Sequence, residues 1–561
     1  MIVTVVLFSI VVLGAGYLVY GRFLAGQLKL DNSAPTPACE INDGVDYVPA
    51  KASLLLGQHF SAIAAAGPIV GPILAGIWFG WAPALLWILL GTIFVGGVHD
   101  FTSLVASVRH RAASIGELVG KYMSRTSKAL FLVFVWFALI YVIIAFTDIT
   151  AQTFKAVTAD TAFGPGVAAS SFLYLLLGLS LGVALHRFRL NFKIATAVSV
   201  PLVIVIIWAG TMLPDSISSS MLNIPVKWWH LILLAYCFAA SLIPMWLLLQ
   251  PRGYLGGWFL YLTMAVMLAG TFFGGSEVRY PAFNLDGLKG LDGGKLLFPV
   301  LFITVACGAC SGFHGIVSSG TTARQIEKEG DTKTVGYGSM ILEGVVAVLA
   351  LTTVMVIPRG DLALKGDPNF IYARGMAGYL NMAGVDFNLG LSFALLAFST
   401  FVYDTLDVST RLARYILQEL FDWKSRKGAF LATFITLLIP LAFLMASGEK
   451  AYLAAWPIFG TSNQLLASLI LLAVSVWLMK TGKKAFYTII PMVFMLIVTL
   501  WSLTLQILPL VKAAAGLFPD GLKADILVAG IGGVLLLILS IWLIIEAFSV
   551  VVAARKGCKP A

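Results

Sequence analysis

The sequence predicts an all-α protein that spans a membrane many times, and three observations lead to this prediction. The chain has 561 residues, of which 59% are hydrophobic and 11% are charged, whereas about a quarter of the residues in a soluble domain are charged. Its apolar runs recur at the length of roughly 20 residues that crosses a bilayer as a helix. The longest loops, at 21–56 and 358–386, are too short to form a core of their own. Function must therefore lie within the membrane body.

Apolar runs of this length divide the chain into about fifteen predicted helices. The predicted spans are 2–20, 57–78, 82–105, 128–150, 168–186, 195–213, 229–249, 255–275, 296–320, 337–357, 387–410, 428–446, 452–479, 486–510 and 525–552. Most of the 37 Lys and Arg residues fall in alternate loops, which predicts an external N-terminus and a cytoplasmic C-terminus. The net charge of +10 lies in these short loops, so nucleic acid is not an expected partner.

One apolar segment carries two Gly-Pro pairs four residues apart and reads SAIAAAGPIVGPILAG, residues 61–76. Proline removes a backbone donor and clashes with the preceding turn. Non-helical backbone at this depth persists only inside protein or beside a cavity. Broken helices of this kind mark the binding sites of secondary transporters; the alternative is a kinked helix that packs through its small residues. The residues predicted to contact substrate here are Ala66, Gly67, Pro68 and Gly71.

The seventh predicted helix, 229–249, is also interrupted by a proline, Pro244, after a stretch of small residues. It runs opposite to the second helix and follows it by five spans, as an inverted repeat of five helices requires. Tyr236 and Pro244 are therefore added to the predicted substrate site. His59, Ser311 and His314 complete the set of residues predicted to contact substrate. The predicted organisation is a first helix and cytoplasmic loop (1–56), a first repeat (57–213), an inverted second repeat (229–420) and accessory helices (428–561).

The ninth predicted helix carries an unusually dense set of polar side chains for a membrane span. They are Ser311, His314, Ser318, Ser319, Thr321 and Thr322. Hydroxyl oxygens suit a hard cation such as Na⁺, whereas a histidine carries a proton near neutral pH. Interhelical hydrogen bonding is the alternative. Ser311 and His314 lie one turn apart, as a nucleophile and its base do, yet no orienting residue accompanies them, so hydrolysis is not favoured.

Several acids and histidines lie in or near predicted spans, while no Lys or Arg falls in the middle of one. Such groups are costly in a membrane and are typical of ion pathways. We expect Asp404 to be functional, and Asp407 either to join it or to pair with Arg411 one turn on. The other candidates are His59, His99, Asp100, Asp148 and Glu343. His110, His186 and His230 are predicted to be loop or interface residues.

The five cysteines do not predict a metal site. Cys307 and Cys310 form a CxxC pair, but no second pair completes a zinc ligand set. Small residues that pack inside an apolar run are the favoured interpretation. No cofactor is expected, and the oligomeric state is not predicted.

Long motifs in the chain resemble the carbon starvation protein A (CstA) family. They are NDGVDYVPAK (42–51), GQHFSAIAAAGPIVGP (57–72), WLLLQPRGYL (246–255), LFITVACGACSGFHGIVSSGTT (301–322), TLDVSTRLARYILQEL (405–420) and WPIFGTSNQLLA (456–467). The sequence departs from the family at Gln58, where His is expected, and at His99, where Gln is common. The resemblance implies a peptide transporter or proton-coupled pyruvate importer of the bacterial inner membrane, used under carbon starvation.

The resemblance also implies membership of the amino acid–polyamine–organocation superfamily and a leucine-transporter-type core. In that fold the first and sixth core helices are unwound, and a sodium-type site joins the first to the eighth. Mapped by position, residues 66–72 then face Pro244, and Ser318 with Ser319 coordinate the cation.

The sequence therefore predicts a secondary importer of a small carboxylate-bearing nutrient, held by the bare amides of an unwound helix. The expected partners are this substrate, H⁺ and the lipid bilayer. The predicted coupling residues are Asp100, Ser318, Ser319, Glu343, Asp404 and Asp407. Three alternatives remain: a Na⁺-coupled symporter of the same substrates, a membrane-embedded enzyme that uses Ser311/His314 or Asp404/Asp407, and a receptor that binds without translocation.

Overall fold

The computed structural model describes residues 1–43, 47–64, 66–157, 162–244, 246–275, 277–284, 296–448, 451–515 and 524–555. Within these ranges the protein is helical, with β-structure limited to two isolated bridges. Twelve of the described helices are long and apolar enough to cross a membrane, and the number reaches fourteen if each of two bent pairs is one span. The prediction of an all-α polytopic membrane protein is confirmed.

The helices are, in chain order, α1 Ile2–Leu28, α2 Pro37–Ile41, α3 Ala52–Ile63, α4 Gly67–Phe79, α5 Trp81–Arg109, α6 Ile115–Tyr122, α7 Arg125–Thr153, α8 Gly164–His186, α9 Phe192–Thr211, α10 Asp215–Asn223, α11 Val226–Leu242, α12 Leu249–Phe273, α13 Leu297–Thr304, α14 Gly312–Gly320, α15 Lys333–Met355, α16 Pro368–Met382, α17 Phe387–Leu420, α18 Arg426–Ala446, α19 Ala451–Lys480, α20 Phe486–Ala514 and α21 Ala524–Arg555. The predicted span 296–320 is two short helices, α13 and α14, on either side of a break at 305–311.

Two broken helices, α3–α4 and α13–α14, cross each other at their breaks. A Cβ added to Gly67 would overlap the Cys307 side chain, and one added to Gly71 would overlap the backbone oxygen of Thr304. Glycine at both positions lets the two chains approach this closely. Pro68 lies in the first turn of α4, where a missing N–H costs no helical hydrogen bond. The GPIVGP motif therefore begins a helix, and the unwound stretch that we predicted at 66–72 lies just before it.

Pro244 does not face residues 66–72, which corrects the predicted pairing of broken helices. α11 ends at Leu242, and Ile243 is extended, as the residue before a proline prefers. Pro244 thus lies in the connection to α12 rather than inside a span. Arg411 donates to the backbone oxygens of Ala240 and Ile243 at 2.7 and 2.8 Å, so this helix end is satisfied by side chains from α17.

Helix contacts favour a different repeat division from the predicted 57–213 and 229–420. α7 packs along α17, α11 packs on α17 as α18 packs on α7, and α12 packs on α3 as α19 packs on α13. These equivalent contacts pair α3–α4, α5, α7, α11 and α12 with α13–α14, α15, α17, α18 and α19. On this division α8 and α9 are an insertion. The prediction assigned helices by order alone and allowed for no such insertion.

Candidate functional site

A group of buried titratable side chains, here called the imidazole–carboxylate cluster, lies beside the crossing of the broken helices. Its members are His99, Asp100, His314 and Glu343, and each is fully buried. His314, in the first turn of α14, places Nδ1 2.8 Å from one Asp100 oxygen and Nε2 3.3 Å from Glu343. The second Asp100 oxygen lies 2.7 Å from Nδ1 of His99. Three helices, α5, α14 and α15, therefore meet through one imidazole ring.

The imidazole–carboxylate cluster can hold and release a proton. Each ring nitrogen of His314 faces a carboxyl group. A protonated, singly charged imidazole balances the charge of one ionised acid, so the other acid must bind a proton to be neutral. A buried group that lacks a counter-ion takes up a proton rather than remain charged. The sequence predicted Asp100, Glu343 and His314 separately, and the structure brings them within hydrogen-bond distance or nearly so. His314 was predicted to contact substrate, whereas its position here is among the acids.

Asn463, in α19, forms hydrogen bonds with groups that the break in α13–α14 leaves without helical partners. The sequence analysis did not assign it a role. Its Oδ1 accepts from the Phe313 amide at 2.9 Å, and its Nδ2 donates to the Ser311 hydroxyl at 2.9 Å. Gln464 donates to the backbone oxygen of Phe302 at 2.6 Å. Buried backbone groups outside a helix need such partners. Two adjacent amide side chains inside an apolar run are the signal that marks this position.

A cavity of about 400 Å³ opens on the side of α6 and the turn after α14. Its volume falls in the range of small-molecule sites, roughly 300–1,000 Å³. The polar side chains that line it include Gln58, His59, Ser61, Ser319, Asp404 and Arg411. Among the predicted substrate residues, His59 lines this cavity, while Ala66, Gly67, Pro68, Gly71, Tyr236, Pro244, Ser311 and His314 are not among its lining residues.

His59 connects the cavity to the broken helices. Its Nδ1 lies 2.8 Å from the hydroxyl of Thr322, just beyond the end of α14. Its Nε2 is buried and has no hydrogen-bond partner in the described part of the chain. The ring therefore offers one nitrogen to a ligand while the other fixes its orientation.

A second group of buried charges, here called the arginine cluster, consists of Tyr236, Arg252, Asp404 and Asp407. Arg252, in the first turn of α12, is fully buried. Its Nε and Nη2 lie 2.9 and 2.6 Å from Oδ1 of Asp404, and Nη1 lies 2.5 Å from Oδ2 of Asp407. Tyr236 donates to the same Asp407 oxygen at 2.8 Å. This geometry corrects two expectations: a basic residue does lie inside the helical body, and Asp407 pairs with Arg252 rather than with Arg411.

The predicted sodium hydroxyls lie apart from the arginine cluster. Both belong to α14, where Ser319 donates to its own helix at Gly315 with a distance of 2.9 Å. Ser318 is buried and has no hydrogen-bond partner among the described residues.

Asp148 ties three helices together about 20 Å along α7 from Val135, which lines the cavity. One of its oxygens lies 2.8 Å from Nε2 of His230 in α11, and the other accepts from the Tyr452 amide at the start of α19 at 2.8 Å. His230 is 2% exposed, so its prediction as a loop or interface residue is corrected to a buried partner of Asp148. By contrast, His110 and His186 do contact loop-end aromatic residues, Tyr122 and Trp246.

Helices broken at a crossing beside buried acids, in an all-α membrane body, define the class of membrane transporters. The family model described as "Carbon starvation protein CstA" matches residues 1–369 and 360–502. The chain therefore belongs to the CstA family.

Named relatives agree with this class. The "Peptide transporter CstA" of Helicobacter pylori is 32% identical over 562 residues, which cover 88% of this chain and 80% of that protein. The "Pyruvate/proton symporter BtsT" of Escherichia coli is 30% identical over 603 residues, which cover 90% and 81%. These relatives are named as transporters rather than enzymes.

Solved transporter structures are also similar. A mutant of the Eremococcus coleocola manganese transporter aligns with a TM-score of 0.47 at 13% identity, over 91% of this chain and 99% of that one. MhsT in complex with L-phenylalanine aligns with a TM-score of 0.45 at 12% identity, over 89% and 99%.

Proposed function

We propose that this protein is a proton-coupled secondary importer of a small carboxylate-bearing nutrient, pyruvate or a short peptide, in the bacterial inner membrane. The observation that carries the proposal is the imidazole–carboxylate cluster, in which His314 of the broken helix α13–α14 lies between Asp100 and Glu343. A proton-binding group on a helix that is already divided into two halves connects proton uptake to helix movement.

Proton coupling follows from how the cluster joins its helices. With one acid protonated, His314 as a cation faces a single carboxylate, and the cluster is neutral. When that proton leaves, the uncompensated carboxylate favours a rearrangement of α14 against α5 and α15 that restores a counter-ion or water. Proton uptake from one side and release to the other would then drive the alternation of the broken helices.

Cationic and neutral donors in the cavity support a carboxylate substrate. His59 presents an unpartnered Nε2, and Arg411, which also lines the cavity, has a buried Nε without a hydrogen-bond partner among the described residues. A carboxylate that accepts from both would satisfy two buried groups at once, and charge-assisted hydrogen bonds of this kind are the stronger ones.

Uptake into proteoliposomes tests the proposal. Labelled pyruvate and a labelled dipeptide are each offered under an imposed pH gradient, an imposed Na⁺ gradient and no gradient. A pH gradient of about one unit should accumulate an electroneutrally carried monoanion about tenfold, because one pH unit corresponds to a tenfold ratio. Accumulation of neither compound under any gradient contradicts the proposal, and accumulation with Na⁺ alone contradicts proton coupling.

Asp100→Asn is the matched variant for this assay. It removes the carboxylate that pairs with His314, so we expect the roughly tenfold accumulation to fall to simple equilibration. Exchange of labelled for unlabelled substrate at equal pH should survive. Asp215→Asn, the same substitution at an exposed site in α10, is the control and should accumulate substrate as the unaltered protein does.

A further inference from the structure

The arginine cluster carries one unmatched negative charge. Its two carboxylates, Asp404 and Asp407, share a single guanidinium, Arg252. The titratable and charged groups that face them are Arg252, Arg411, Tyr174, Tyr236, Tyr403 and Cys237. Phenol and thiol groups are ordinarily neutral at pH 7. The guanidinium of Arg411 is bonded to the carbonyl end of α11, whose partial negative charge offsets about half of its own. Arg411 therefore acts on the two acids from a distance rather than as the ion-pair partner of either.

The unmatched charge has a route to water. Asp404 lines the cavity. Its Oδ1 is held by Arg252, whereas its buried Oδ2 has no cationic partner among the described residues, and the Ser61 hydroxyl is the neutral group that contacts this carboxylate. An isolated buried carboxylate oxygen is costly unless it is neutralised. Asp407 has one unpartnered oxygen among the described residues as well, Oδ1, while its Oδ2 is held by both Arg252 and Tyr236. Unlike Asp404, however, Asp407 is not among the cavity-lining residues. Of the two acids, Asp404 is the one that water reaches.

We propose that Asp404 exchanges one proton with the cavity and that Arg252 acts as a built-in cation that restricts this site to a proton. This inference rests on the proposed function and adds a second site that the same coupled proton occupies, so that both sites are needed for accumulation. The proton passes from water to Oδ2 of Asp404, giving a neutral carboxylic acid, and returns to water when the site next opens. Arg252 and Asp407 remain a balanced pair throughout.

The geometry around Oδ2 of Asp404 favours a proton over Na⁺. Hard cations need several oxygen ligands. Arg252 already occupies Oδ1 of Asp404 and Oδ2 of Asp407, and the nearby Ser61 hydroxyl donates to the backbone oxygen of Gly253 at 3.1 Å. Gly256 lies against Oδ2 on one side, where an added Cβ would overlap this oxygen. A proton needs no ligand shell and no further room.

Asp404→Asn tests the proton site directly. Asn has the shape of the protonated acid and leaves Arg252 paired with Asp407, so the variant should fold. We expect accumulation driven by a pH gradient to fall about tenfold per imposed pH unit, to equilibration. Exchange at equal pH should remain, and proton influx recorded with a dye inside the vesicles should fall per substrate carried. Undiminished proton-driven accumulation by this variant overturns the inference.

A pair of glycine variants on α12 supplies the independent test. Gly256→Ala displaces the Asp404 carboxylate, whereas Gly257→Ala meets its nearest atoms, on Gly57 and Ser61, at an ordinary 3.6 Å. Gly256→Ala should lose proton-driven accumulation while Gly257→Ala keeps it, and equal behaviour of the two contradicts the inference. Stimulation of the unaltered protein by Na⁺ at fixed pH also overturns it. Absence of exchange in the unaltered protein would instead contradict the proposed transport function.

Discussion

Single side chains determine where the broken backbone is held. Asn463 binds the amide of Phe313 and the hydroxyl of Ser311, and it does so from α19, a helix far away in the chain. Its side-chain amide can donate and accept hydrogen bonds at the same time. A serine or threonine hydroxyl can do the same, but on a shorter side chain. We therefore regard Asn463 as a positioning residue for the first turn of α14, and through that turn for His314.

Asn463→Ala should destabilise the protein by about 1–3 kcal/mol, because the Phe313 amide loses its buried partner. Thermal unfolding in detergent measures this change. The rate of proton-driven uptake should fall more than the rate of exchange at equal pH, since His314 loses its fixed position. Asn381→Ala, at an exposed position, is the control, and an equal melting temperature for the two variants would contradict this role.

Buried polar residues were predictable as individuals, but their partners were not. Asp100, His314 and Glu343 were predicted because charged groups in apolar runs are costly and are retained for a purpose. Which of them meet depends on how helices far apart in sequence pack. Arg252 was missed because apolar length alone placed it in a loop, although its partner Asp404 lies within a span and needs a cation.

Close approach of backbones shapes the crossing of α3–α4 and α13–α14. At Gly71 an added Cβ meets the backbone at Thr304 and Val305 rather than the end of a flexible side chain. Backbone atoms cannot rotate away, so the substitution must push the two helices apart.

Gly71→Ala should therefore destabilise the protein by about 1–3 kcal/mol and reduce transport, since overpacking a tight contact costs this much. Thermal unfolding and the initial rate of uptake are the measurements. Gly26→Ala in α1 has no atom within 4 Å of the added Cβ and is the control, where alanine should be neutral or slightly stabilising. Equal effects of the two would show that the crossing is not tightly packed.

The long helices were well predicted from the sequence, whereas only one of the two broken helices at the crossing was. Long apolar runs gave the spans, because bilayer thickness fixes their length. The Gly-Pro pairs correctly marked an interrupted helix, yet its partner was sought at Pro244. A proline marks a restricted backbone equally well at a break and at a turn. The true partner, residues 305–311, contains no proline. Asn463 and Gln464 bind backbone groups of the helices on either side of it, at Phe313 and Phe302.

The orientation of the whole molecule can be tested with its own cysteines. Cys39 is exposed, whereas Cys237, Cys307 and Cys310 are buried, and the distribution of Lys and Arg predicts that Cys39 faces the cytoplasm. In a Cys558→Ser background, a membrane-impermeant maleimide should label inside-out vesicles and not right-side-out ones. Cys39→Ser should abolish that labelling, and labelling from the opposite side would reverse the predicted orientation.

The hydrogen bonds of Asp148 bear on how the protein opens between α7, α11 and α19. Its two oxygens bind His230 in α11 and the Tyr452 amide at the start of α19, away from the residues of α7 that line the cavity. A path between these helices would have to separate Asp148 from both partners, and a buried carboxyl group that loses its hydrogen bonds is costly. We therefore expect the proposed transporter to stay closed at Asp148 while its cavity is open, so that the ion gradient is not lost through the protein.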